Sequence, residues 1–550
     1  MKKLFLTVSS LFCLLLAAEE KPILKAGIIT DTHITPQESS CFWVEKALKF
    51  FKKNKVDLVI NCGDIADEFY PEGYRHYRNT IKKIYPQGIR EIFAYAFHDQ
   101  IHPGNRSIRH PYSELQAALQ IPHEPMDFRL INGLPFLIFP QKIESTELYE
   151  KKLADTAKKF PDKPIFVIDH IPALNTTHNS IAAGSIWKRP VLNKFPQVIH
   201  ISGHTHNSLF NEQCIWQGEY TAVNAGCLKA FFSSDTPERN TYTEVLIMEV
   251  YKNKVLFRRY SLPDEKEYRP STPWCVPLPF VPETAPYNPK RRYADSEEPA
   301  FPADAKISFT PDRIPFTDVK ISFPSASPDV LTCNITVERK NKQGEFEFFT
   351  EKDISSNYKL PENERNKNLK TFLPSGYFEA GKEYRFTITP INFYGKKGKA
   401  LKAVWKAPEI RKNQILFESR NPMEELPFIT KLTGGVQLKK ENGFYIYDTH
   451  TARLELPPEI WDLPVGTPLR FTAVIHTIQN QMKTLLWDLR NLSPRRPVSP
   501  YVITKTGNDL RLHVIDFKLQ VKGDKYCFLL QGDVPCKIRF NYIKVEKLSR

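Results

Sequence analysis

Short apolar runs that stop at polar clusters set the rhythm of the first half of the chain. Residues 25–30 form such a run and end at Asp31-Thr32-His33. Residues 38–53 carry Trp43, Ala47, Phe50 and Phe51 at helical spacing, which predicts an amphipathic helix. A strand over 56–61 ends at Cys62-Gly63-Asp64, and 74–84 has helical character. A strand over 91–96 ends at Phe97-His98-Asp99. Residues 128–131 and 134–139 predict a hairpin, because Asn132-Gly133 is a favoured two-residue turn. After a helix over 148–159, a strand over 164–168 ends at Asp169-His170-Ile171-Pro172. The run 197–201 leads into Ser202-Gly203-His204-Thr205-His206, and 241–250 with 254–260 alternate as a closing hairpin.

The second half reads differently. Residues 263–302 hold Pro263, Pro270, Pro273, Pro277, Pro279, Pro282, Pro286 and Pro289, and predict an extended linker packed loosely on its neighbours. Residues 303–409 show short alternating runs without helical period, with strands at 319–323, 332–338, 346–349 and 384–390. The run from Tyr384 to Pro390, followed by Asn392-Phe393-Tyr394-Gly395, resembles the late strands of a fibronectin type III-like sandwich, and another small β-sandwich fits as well. Residues 410–550 alternate densely, with strands at 443–447, 452–456, 469–475, 484–489, 510–514 and 538–545. That density suggests a jelly-roll-like β-sandwich, similar to accessory, often carbohydrate-binding, modules of exported bacterial enzymes. Trp461, Trp487 and Tyr501 are candidates for stacking on sugars, against the plainer reading of core aromatics.

Composition adds the compartment. At 550 residues the chain is too long for one core, and 41% hydrophobic content makes it globular. Lys2 and Lys3, an apolar run over 4–16 and Ala17-Ala18 read as a signal peptide over 1–18, too short to span a bilayer, so the protein is expected to be secreted or periplasmic. Beyond it remain Cys41, Cys62, Cys214, Cys227, Cys275, Cys333, Cys527 and Cys536; their spacing fits no zinc knuckle. Disulfides are permitted, a Cys527–Cys536 bridge between neighbouring strands being one option, whereas Cys62 reads as a buried thiol. The net charge of +15 is spread along the chain. It suits an anionic substrate or envelope polymer ahead of nucleic acid, for which no concentrated basic stripe is present.

Candidate chemistry lies where the strands end. Asp31/His33, Asp64, His98/Asp99, His170 and His204/His206 each follow an apolar strand. In α/β folds the carboxyl ends of strands share an edge, so these residues are expected to meet. Each cluster alone has a bland reading as a cap, a turn or a satisfied core histidine; five together do not. Two aspartates and four histidines suit zinc, iron or manganese. A carboxylate such as Asp64 could bridge two ions, and such a pair generates hydroxide and neutralises phosphoryl oxygens. The favoured reaction is metal-assisted hydrolysis of a phosphoester.

The order Asp31-x-His33, Gly63-Asp64, His98-Asp99, His170 and Gly203-His204-x-His206 resembles the calcineurin-like metallophosphoesterases over about residues 24–262. The resemblance implies an α/β fold, a two-sheet sandwich flanked by helices, followed here by two all-β sandwich domains. It implies one metal on Asp31, His33, Asp64 and His206 and another on Asp64, His170 and His204, with one or two Mn, Fe or Zn ions per chain. His98 would contact phosphate or protonate the leaving group, with Asp99 orienting it, and Asn224-Ala225-Gly226 resembles a nearby wall. The family's metal-ligating Asn is replaced by Phe97, which weakens or removes the second metal position unless another group, such as Asn105 after Gly104, completes it. The expected function is an exported phosphoric ester hydrolase acting on a mono- or diester. The alternative is a weakened phosphoesterase scaffold that binds a glycan or envelope polymer.

Overall fold

A computed structural model describes residues 21–121, 123–141, 145–229, 243–311, 318–359, 367–374, 378–379, 381–407 and, in shorter pieces, much of 413–548. The described residues up to Ser296 form one compact unit and those from Glu297 onward a second. Expectations that fall on 1–18, on Trp461 and Tyr501, and on the Trp487 side chain lie outside what is described.

The first unit contains the strands Leu24–Ile29 (β1), Leu58–Asn61 (β2), Arg90–Phe93 (β3), Ile101–His102 (β4) and Asn105–Arg109 (β5). Further strands are Asp127–Ile131 (β6), Leu134–Ile138 (β7), Ile165–Ile168 (β8), Val198–Ser202 (β9), Ile215–Gln217 (β10) and Thr221–Asn224 (β11). The last are Glu244–Val250 (β12), Lys254–Ser261 (β13), Lys266–Glu267 (β14) and Trp274–Pro277 (β15). Between them run the helices Phe42–Lys53 (α1), Pro71–Ile84 (α2), Tyr112–Leu119 (α3), Thr146–Lys159 (α4), Ser180–Ala183 (α5), Lys188–Leu192 (α6) and Pro289–Asp295 (α7).

Among the described residues one sheet runs β14-β13-β12-β1-β2-β3 with β15 on β13, and the other runs β10-β11-β9-β8-β7-β6. β1, β2 and β3 are parallel, as are β7, β8, β9 and β11, so their carboxyl ends lie along matching edges. Alternation does the rest: Leu24, Ala26 and Ile28 of β1 meet Phe136, Phe166 and Ile199 between the sheets. Ile29, Val59 and Phe93 face outward onto Leu48, Phe51, Tyr74 and Tyr77 of α1 and α2. Leu137, Val167 and Val198 of the other sheet pack on Tyr149 and Leu153 of α4 and Val191 and Leu192 of α6. The unit is thus a two-sheet α/β sandwich flanked by helices.

Differences from the sequence reading have local causes. The Asn132-Gly133 turn forms as read, with φ of 50° and 75°. The strand expected over 91–96 ends at Phe93, and a short 3-10 helix begins at His98. The Pro-rich stretch is not a loose linker over 263–296. β14 and β15 pair with β13, and Trp274 is buried against the sheet core. Pro273 precedes β15 and Pro277 is its last residue, so pairing is retained between them while the composition suggests none.

The second unit is β-rich in its described residues. The strands Ser308–Pro311, Asp318–Phe323 and Leu369–Pro374 form one sheet, and Val330–Lys340, Phe346–Ser355, Glu383–Asn392 and Leu401–Lys406 another. Ile321, Ile335, Tyr384 and Phe386 are among the buried side chains that pack together there. Beyond residue 413 two more sheets follow, and Tyr526–Gly532, which holds Cys527, lies in a different sheet from Cys536–Lys547, which opens on Cys536. Cys41, Cys62, Cys214, Cys275 and Cys333 are thiols.

Candidate metal centre

The loops after β1 and β2 run side by side beyond the strands: Asp31 N–H donates to Gly63 O at 3.0 Å and His33 N–H to Asp64 O at 3.1 Å. Asp31, His33, Asp64, His204 and His206 all have positive φ, between 42° and 71°. Left-handed backbone costs a non-glycine residue about 1–2 kcal/mol, so five of six candidate ligands sit on strained backbone. Gly203 explains how the two ligand loops approach. A Cβ there would lie 1.9 Å from Thr30 Oγ1 and 2.6 Å from Asp31 Oδ2. That closeness lets His204 N–H donate to Asp31 Oδ2 at 2.9 Å, while Asn224 Nδ2 fixes Gly203 O at 2.7 Å.

The candidate ligands fall into two groups, Asp31/His33/His206 and Asp64/His170/His204, each with ligand atoms within 4.8 Å of one another. Asp31 Oδ1 reaches both: it lies 2.9 Å from His206 Nε2, 3.7 Å from His33 Nε2 and 3.9 Å from His170 Nε2. His170 Nε2 is 3.0 Å from Asp64 Oδ2. Partners behind the rings, a hydrogen bond for His170 and a close carboxylate for His33, set which nitrogen faces inward. His170 Nδ1 donates to Cys62 O at 2.9 Å, and His33 Nδ1 lies 2.9 Å from Asp67 Oδ1. Both imidazoles therefore present Nε2, as metal-ligating histidines do.

Three observations show that these residues fit a cation. Asp31 Oδ1 and His170 Nε2 are buried and lack a well-formed hydrogen bond among the described residues. His33 Nε2 and His206 Nε2 lie 3.2 Å apart, a separation at which two nitrogen ligands can share one cation. The donor set mixes carboxylate and imidazole, as zinc, iron and manganese sites do.

Electrostatics agree. Burial would raise the Asp31 carboxyl, but His206 and His170 hold it well below the carboxylate range. Burial opposes charge on His33, yet its bonds to Asp31 and Asp67 raise it to about 10. His170 likewise rises to about 9 beside Asp64 and Asp31. Burial and then the His170 charge push His204 down to about 4. Without a cation, the carboxylates recruit protons onto two of the histidines.

His98 flanks the first group, its ring 5.1 Å from that of His33. Its Nδ1 donates to Asp67 O at 2.7 Å, which leaves Nε2 as the ring nitrogen not engaged in that bond. The expectation that Asp99 orients His98 needs correction. Asp99 Oδ1 accepts from Ile65 N–H at 2.9 Å and Ala66 N–H at 3.1 Å, and Oδ2 from Ala96 N–H at 3.4 Å. Asp99 is fully buried behind the Asp64 loop and braces it; burial, then the Asp64 charge, push its pKa up to about 7.

Asp67 was not anticipated, although its position three residues after Asp64 on the same strand-end loop is a usable signal. It takes the place expected of Asp99, holding His98 through its carbonyl and His33 through its carboxylate. Lys229 Nζ donates to His33 O at 3.0 Å. Phe97 is 40% exposed, with the Arg109 guanidinium 4.4 Å from its ring centroid, and its N–H donates to Gln141 Oε1. Asn105 opens β5 on the exposed surface, and its Oδ1 accepts from Ser107 N–H at 3.1 Å.

Residues 24–208 match the family model described as calcineurin-like phosphoesterase, a span that includes every candidate ligand above. No curated protein matches the chain. Among solved structures, the tandem CBM22 domain of Paenibacillus barcinonensis Xyn10C is similar at 9% identity, covering 46% of this chain and 94% of that one, with a TM-score of 0.19. The N-terminal cellulose-binding domain of Cellulomonas fimi beta-1,4-glucanase C is similar at 10% identity, covering 20% and 84%, with a TM-score of 0.16. Likenesses this weak carry no argument about fold or ligand. Family match and ligand geometry together support a phosphoesterase hydrolase in general terms. Among the described residues, no helix is long and apolar enough to cross a membrane.

Proposed function

We propose that the first unit hydrolyses a phosphate mono- or diester with the help of one or two divalent or trivalent transition-metal ions. The carrying observation is the convergence of His206, His33 and His170 on Asp31 Oδ1, a buried oxygen that lacks a well-formed hydrogen bond among the described residues. Asp31, His33 and His206 would hold one ion and Asp64, His170 and His204 the other. Bound there, such ions supply an activated water and neutralise phosphoryl oxygens. The protein's part is positional and protonic. Asp67 holds the His33 and His98 rings, Asp99 fixes the Asp64 loop, and His98, when it is the imidazolium, delivers its Nε2 proton to the departing oxygen and keeps the one on Nδ1. Phe97 presents an apolar ring next to His98, where the leaving group departs.

Export rests on residues 1–18. An accessory role for the second unit, on a glycan or anionic envelope polymer, rests on its sheets and on the net charge of +15. Purified protein supplied with manganese or zinc is expected to cleave aryl phosphate mono- or diesters and to retain metal. Asp64→Asn and His206→Ala are expected to lower activity by about 10²-fold or more while circular dichroism stays unchanged. A protein that takes up no metal and cleaves neither ester class overturns the reading.

A further inference from the structure

On the helix-facing side of the second sheet lies a buried charge cluster outside the candidate centre. Asp169, Lys188 and His200 are 0%, 1% and 0% exposed. Lys188 Nζ lies 2.9 Å from Asp169 Oδ1 and donates to Ile171 O at 2.7 Å. It thus grips the residue before His170 by its side chain and the residue after by its backbone. His200 Nε2 lies 3.1 Å from Asp169 Oδ2. Successive side chains on an extended segment point to opposite faces, so Asp169 is directed away from the face that His170 serves.

The three groups join separate pieces of chain. Asp169 follows β8 and precedes His170; His200 sits in β9, four residues before His204; Lys188 opens α6. Both histidines of the second ligand group therefore depend on strands that meet at the Asp169 carboxylate. The backbone repeats the link, since Asp169 N–H donates to Ile201 O at 3.3 Å and Gly203 N–H to His170 O at 3.0 Å. Buried ion pairs seldom add stability over well-packed apolar residues, so stability alone does not account for a buried lysine here. Its contacts account for it better: an ammonium ion-paired with Asp169 and hydrogen-bonded to Ile171 O specifies where residues 169–171 lie.

We infer that Lys188, acting through Asp169 and His200, is a positioning residue that sets His170 and His204 for the second cation. This rests on the metal-dependent reading above. The test titrates the full-length, metal-free chain with Zn²⁺ or Mn²⁺ alone, following heat and bound metal. Wild type is expected to take up two equivalents, and His206→Ala to lose the one belonging to the Asp31 group. Lys188→Met is expected to keep that equivalent and to bind the other about 10- to 100-fold more weakly, the range for partners behind metal ligands. Lys188→Arg, which keeps the charge and can reach two acceptors, is expected to recover part of the loss. Should Lys188→Met not fold, Lys188→Met/Asp169→Asn removes both charges and takes its place. The inference is overturned if folded Lys188→Met binds both equivalents as wild type does, or weakens both equally, or if the double variant also fails to fold. A wild type that binds no metal overturns the metal reading itself, and one equivalent in wild type overturns the inference alone.

Discussion

Asp31 shows how much one side chain is asked to do. Its Oδ2 accepts from the Thr30 hydroxyl at 2.8 Å and from His204 N–H, which leaves Oδ1 for the imidazoles. Gly203→Ala would drive a methyl into both Thr30 and Asp31. The expected loss is about 3 kcal/mol of stability together with weaker metal uptake, seen in denaturant unfolding and in metal titration. Unchanged unfolding would mean that the loop has room the structure does not show. The histidines carry a pH signature too. His33 and His170 are raised from 6.5 to about 10 and about 9 in the metal-free fold. Their contribution to stability is complete below pH 6.5 and is lost as pH rises through 9 and 10. In chelator, melting temperature is therefore expected to fall across that window. Metal-loaded protein has already given up those protons and should stay flat. Parallel curves with and without metal would remove this account.

At the level of elements, legibility follows from whether the cause is local. The Asn132-Gly133 hairpin and the amphipathic α1 formed where read, because turn chemistry and helical spacing are properties of short windows. The candidate ligands come together for a related reason: each ends an apolar strand, and parallel strands bring their ends together. β10 and β11 escaped notice, being three and four residues long and recognisable only through their pairing with each other and with β9. Asp99 was given the role of orienting His98 by the family resemblance, which carries no information on where this chain's carboxylate points. The short helix His98–Gln100 instead aims the Asp99 carboxylate at the backbone of Ile65 and Ala66. Lys188 and Asp67 act on residues that only the folded chain brings near them. Nothing in the sequence around Lys188 distinguishes it from an exposed helix lysine.

For the whole molecule, the consequential misreading was the end of the first unit. Prolines made 263–296 resemble a linker, but the segment completes a buried electrostatic knot. Glu212 Oε1 accepts from Arg259 Nη1 at 2.7 Å; its Oε2 accepts from Trp274 Nε1 at 2.9 Å and Arg292 Nη2 at 3.1 Å. The Arg259 guanidinium also lies 4.3 Å from the Trp274 ring centroid. The short helix that ends at Cys214 begins with Glu212 and leads into β10, so this knot ties the far edge of the second sheet to the segment added to the first. Trp274→Ala would open a cavity between sheet and segment and leave Glu212 one donor short. The expected cost is about 3–5 kcal/mol, read as a lower midpoint for the first unit in denaturant. Trp274→Phe keeps most of the apolar contact and loses only the N–H donor, so its cost should be nearer 1–2 kcal/mol. A linker would predict no difference between these variants and wild type. Equal midpoints for all three would show that the unit is complete at residue 262, as its composition suggests.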